Sequence, residues 1–142
     1  MKSPIYKREV ISARDFPCLT WRWLNGKPVL SGNYHFKGEK DGVVRSGDFY
    51  LRIEFPNEYP DRLPVVFEEG QVIPAQYHRN PDSSLCLGTP AELHVLFFKF
   101  PCLKTFMTDI VNPYLYRWLA FSKGDFLWED RSHGVDGLVE GY

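Results

Sequence analysis

Three cysteines, Cys18, Cys86 and Cys102, carry the most reactive chemistry in this 142-residue sequence. Their odd number and the lack of a CxxC spacing argue against a disulfide framework and a zinc site, so a reactive thiol is expected. Cys86 sits between Leu85 and Leu87, where two roles compete. It can be a small buried hydrophobe. It can also be an accessible nucleophile whose thiolate attacks a carbonyl and whose acylated sulfur is then a good leaving group. Cys102 follows Pro101 at an expected helix start, which favours a thiolate, yet Phe100, Leu103 and Phe106 around it point to core. Cys18 reads as structural.

The polar residues near Cys86 also have two readings each. Asp82, the nearest acid in sequence, can orient or neutralise the charge of an incoming amine, or it is a solvated turn residue. His94 can act as a base, or it is a structural histidine beside Val95 and Leu96. Asn80 precedes Pro81, a pairing that starts turns.

The elements that must position these residues are legible in part. Trp21–Leu24 and Pro28–Phe36 alternate apolar with polar residues, and Asn25-Gly26 between them predicts a tight hairpin turn. Gly38–Gly42 predicts a second turn. Val43–Phe55 then reads as a strand with Phe49, Leu51, Ile53 and Phe55 on one face. Pro56, Pro60 and Pro64 form a rigid corner leading to a strand at Leu63–Phe67. From Glu68 to about Leu96 no period survives, and so long an irregular stretch in a compact domain marks function. Between Pro101 and Phe121, apolar residues recur at helical spacing, and Pro113 predicts a kink or a break into two helices. Ser3–Asp15 suits either a short helix or an extended lead-in. Strands first and helix later imply an α+β class: an antiparallel β-meander packed against a C-terminal-side helix. A single domain over residues 1–142 is expected, with its core at about 20–122 and an irregular tail at 123–142.

Composition narrows the classes of partner. A net charge of −1 provides no broad basic field, so nucleic acid is not expected to bind. No apolar run reaches the roughly 20 residues of a membrane span, and the MKSPIYKREV start lacks a signal-peptide core, so a cytoplasmic protein with no membrane partner is expected. The 16% aromatic content favours strands and adhesive surfaces over a plain helical bundle.

The stretch GDFYLRIEFPNEYPDRLPVVFEEG, followed by HRNPDSSLCLG, resembles the ubiquitin-conjugating enzyme family. The resemblance runs through Phe55-Pro56, Tyr59-Pro60, Pro64, His78-Arg79-Asn80 and Leu85-Cys86-Leu87, in the family's order. Arg79 stands where the family has proline, and the run from Asn80 to Cys86 is shorter than in most eukaryotic members. The sequence resembles a bacterial branch from antiviral operons, which carries a similar Ser-Leu-Cys-Leu-Gly motif, and the tail WEDRSHG is similar to that branch as well.

The resemblance implies that Cys86 carries a ubiquitin-like protein as a thioester and passes it to an amine of a target. It implies that Asn80 stabilises an oxyanion or holds the loop, and that His78 fixes the loop rather than shuttling protons. It also implies three partners: a ubiquitin-like protein, an activating enzyme that spends the ATP, and a target protein. The chain itself would need no cofactor. Two other functions compete: a catalytically inactive module that binds ubiquitin-like proteins, and a cysteine-dependent processing enzyme using His78 or His94 as base.

Overall fold

The structure, a computed structural model, describes residues 4–74 and 79–124. Asn25-Gly26 and Asp41-Gly42 both adopt left-handed backbone, with φ of 53° and 78° in the first pair and 53° and 79° in the second. Positive φ at both central residues is the geometry of two-residue hairpin turns that match strand twist. The turns join β1 (Thr20–Leu24) to β2 (Lys27–Lys40), and β2 to β3 (Val43–Glu54). With β4 (Val65–Glu68) they form a four-stranded antiparallel sheet in the order β1-β2-β3-β4.

The expected turn at Gly38–Gly42 is shorter than predicted, because β2 continues through Gly38, which pairs with Arg45, as far as Lys40. A Cβ on Gly38 would lie 2.7 Å from the Phe36 ring, so glycine serves packing inside the strand and the turn falls to Asp41-Gly42. A comparable constraint acts at Gly32, where a Cβ would come 2.0 Å from the Cys18 carbonyl oxygen.

Phe49, Leu51, Ile53 and Phe55 are all buried, as the period of two requires. Their face of the sheet is covered by the chain that follows Cys102. There α3 (Leu103–Thr105), a π-helical stretch (Phe106–Val111) and α4 (Asn112–Ser122) run on without interruption. Of the kink or break expected at Pro113, the break into two separate helices does not occur. Pro113 has no N–H to offer the preceding turn. The chain widens just before it, with Asn112 N–H bonded to Met107 O, five residues back. Phe106, Met107, Ile110, Val111, Tyr114 and Leu115 all face inward from this rod. Burying a side chain such as Phe106 contributes about 1.5–3 kcal/mol.

The amino-terminal choice falls on a helix, α1 (Pro4–Glu9), and the packed core starts earlier than residue 20, since Glu9, Ala13 and Leu19 are buried. Glu9 explains why. Its carboxylate accepts from Tyr59 Oη at 2.8 Å and from Leu103 N–H at 3.0 Å, capping a helix start whose own Cys102 makes no side-chain cap. Burial, and then the bond to Glu9, push the Tyr59 phenol up, so it remains a donor. Glu9→Ala strands two buried donors and is expected to cost about 2–4 kcal/mol of unfolding free energy. A urea titration checks this, and a cost below about 0.5 kcal/mol would contradict it.

The stretch from Glu68 to about Leu96, expected to be irregular, is so only in part. Its end is a helix, α2 (Pro90–Phe97), opened by a capping box in which Thr89 and Glu92 bond each other's backbone N–H, with Pro90 at the first turn. His78 and residues 125–142, including the WEDRSHG segment, lie outside the described residues. Among the described residues, no helix is long and apolar enough to cross a membrane.

Candidate active site

Alternation along Leu85-Cys86-Leu87 decides which way the thiol faces. Leu85 and Leu87 are 3% and 9% exposed and anchor in the core, while Cys86 between them is half-buried and borders an open groove. Leu85 N–H bonds Val66 O at 2.8 Å, which fastens this segment to β4. Arg79 forms an antiparallel bridge with Leu85, so the residues between them close into a short loop.

That loop is locked from inside. Asn80 N–H bonds Ser84 O at 2.8 Å, and Ser83 N–H bonds Asn80 O at 2.9 Å, with Ser83 in left-handed backbone at φ 75°. The Asn80 side-chain amide donates to Ser84 Oγ at 3.0 Å and to Leu85 O at 3.4 Å. Ser84 Oγ donates onward to Asp82 Oδ1 at 2.6 Å, and Ser84 N–H reaches the same oxygen at 2.9 Å. Asn80, Ser84 and Asp82 therefore form one directed chain of hydrogen bonds. The Ser84 hydroxyl, and then its backbone N–H, hold the Asp82 carboxyl below its usual range, so it is anionic at neutral pH. Asp82 is an exposed turn residue whose bonding is spent on Ser84, and it lines the same groove as Cys86.

The groove has a volume of about 790 Å³. One wall is the Asp61–Val65 segment that follows the cis Tyr59–Pro60 bond, and the other is the start of α2 with Leu93, His94 and Phe98. His94 is exposed, with its ring tilted against Phe98 at 4.8 Å between centroids. Two exposed acids, Asp61 and Asp82, share the groove with the thiol and with the exposed Arg62, whose guanidinium is paired with Glu58.

Cys102 is half-buried at the start of α3, its Sγ 3.4 Å from Thr105 Oγ1, and it does not line this groove. Cys18, expected to be structural, is exposed; what is structural at that position is its backbone carbonyl against Gly32. Of the predicted site residues, Cys86, Asn80, Asp82 and His94 meet at one groove. No group of three or more His, Cys, Asp or Glu among the described residues could hold a metal ion.

Sequence reading missed Ser84, which is 1% exposed and is the hinge of the hydrogen-bond chain. It also missed α2, although Thr89-Pro90 followed by Glu92 is a readable capping signal. Compared with protein-family models, curated proteins and solved structures, the chain gives no significant match. The class that fold and site define is therefore an α+β protein presenting a cysteine in a groove beside a hydrogen-bonded loop.

Proposed function

We propose that this chain is a ubiquitin-conjugating-type acyltransferase working through Cys86, in a bacterial antiviral system. The observation that carries the reading is the setting of Cys86: a half-buried thiol on an open groove, with core-anchored leucines on either side and a locked loop before it. Such a thiol can be reached by large protein partners while its backbone stays fixed, as acyl transfer requires.

The Cys86 thiolate attacks the carbonyl of a ubiquitin-like protein held as a thioester on an activating enzyme. The activator's thiolate leaves as the new C–S bond forms. An amine of the target then attacks, the amide bond forms, and the Cys86 thiolate departs while the amine's proton passes to solvent. ATP is consumed by the activating enzyme alone. Asp61 and Asp82 on the groove, with Arg62 beside them paired to Glu58, support a cationic amine as acceptor.

The test is a set of three alanine variants incubated with an activating enzyme, a ubiquitin-like protein and ATP. Cys86→Ala is expected to abolish the reductant-sensitive adduct, and Cys18→Ala and Cys102→Ala to retain it. Loss of the adduct in folded Cys102→Ala would move the nucleophile to the helix start. No adduct on any form would favour a binding-only module.

A further inference from the structure

A charged pair lies buried beneath the Cys86 loop. Glu68, the last residue of β4, is 4% exposed, and Arg79 has only 11% of its side chain exposed. Their closest atoms, Arg79 Nη2 and Glu68 Oε1, are 3.6 Å apart. Burying two ions is costly unless they face one another and find further hydrogen bonds. Here the further bonds go to the loop and its approach. Glu68 Oε1 accepts from Ile73 N–H at 2.9 Å, and Arg79 Nη2 donates to Ile73 O at 2.7 Å, so the pair grips both sides of one buried residue. Arg79 Nη1 donates to Ser83 O at 2.9 Å, inside the loop itself.

We propose that the buried Arg79–Glu68 pair is the positioning device of the Cys86 loop, pinning its backbone while keeping the charge beneath the thiol balanced. A planar fork with several donors suits this task, because one guanidinium bonds two carbonyls and faces a carboxylate at once. The backbone of Arg79 bridges that of Leu85, so the residue that carries the guanidinium is tied to the neighbour of Cys86. Burial above all pushes the Tyr114 phenol up, and Arg79, Cys86, Arg117 and Glu68 are the charged or titratable groups that act on it. The charged or titratable groups that line the groove with Cys86 are Asp82 on the loop, Asp61 and Arg62 on the opposite wall, and His94 on α2. None of these four bonds to Glu68 or Arg79 in the structure, so the pair can be varied without removing them.

The inference rests on Cys86 being the working thiol, but its test needs no partner protein. The rate of iodoacetamide alkylation at Cys86 is followed by peptide mass across pH, in the full chain. The midpoint reads the charge around the thiol, and the high-pH plateau reads how firmly the loop is held. Glu68→Gln keeps the acceptor for Ile73 N–H and leaves Arg79 unopposed, so the midpoint moves to lower pH and alkylation at neutral pH rises several-fold. Arg79→Gln does not lower the midpoint, and it raises the plateau because the grip on Ser83 and Ile73 is lost. The double variant Glu68→Gln/Arg79→Gln returns the midpoint to that of the native chain and keeps the raised plateau. An unmoved midpoint in folded Glu68→Gln, a double variant whose midpoint stays with it, or an unchanged plateau in Arg79→Gln overturns the proposal. A chain with these midpoints that never forms a thioester would instead sink the conjugation reading alone.

Discussion

Cys86→Ser, charged by the activating enzyme, is expected to hold its ubiquitin-like protein as an adduct that survives thiol reductant and yields to mild base. Serine can take the acyl group from the activator's thioester, but its alkoxide is a far poorer leaving group than a thiolate, so the following transfer to an amine stalls. The effect is close to all-or-none, and it separates conjugation from hydrolysis. A cysteine hydrolase built on another residue would release free ubiquitin-like protein at an unchanged rate in this variant. Gel mobility with and without reductant, followed by hydroxide treatment, makes the distinction.

The second large effect is expected at Asn80. Its amide donates to Ser84 Oγ and Leu85 O, and Ser84 passes the bond to Asp82, so both donors are committed to holding the loop. Asn80→Ala should therefore lower stability by about 1–3 kcal/mol and slow loading and discharge together. The opposite pattern has a definite signature as well. A variant with native melting temperature that loads normally but discharges about 100- to 1000-fold more slowly would make Asn80 an oxyanion donor. Single-turnover discharge measured beside thermal melts separates the two.

The parts of this molecule that sequence made legible are those governed by local rules. Asn25-Gly26 needs no tertiary context to be read as a turn, and the alternation at Phe49, Leu51 and Ile53 sets the buried face by itself. Pro113 misled because a proline inside a helical pattern has two outcomes. A break and a π-widened turn look alike in sequence, and the burial of Met107, Ile110 and Val111 goes with the continuous rod. The site divides in the same way. Cys86, Asn80 and Asp82 could be picked out by type and order, but their division of labour could not, because Ser84 looks like any loop serine until it is seen buried. Glu68 and Arg79 were hidden more deeply. Glu68 opens the stretch in which no period survives, and only the placement of Arg79 beside it shows that acid to be half of a buried pair.

The measurement that bears most directly on the central claim is the intact mass of the native chain after incubation with its activating enzyme, its ubiquitin-like protein and ATP. A gain equal to one ubiquitin-like protein less one water is expected, lost on adding thiol reductant, with proteolytic fragments placing the linkage on Cys86. A chain that gains no mass beside a demonstrably charged activating enzyme, or whose adduct resists reductant and maps away from Cys86, would contradict it.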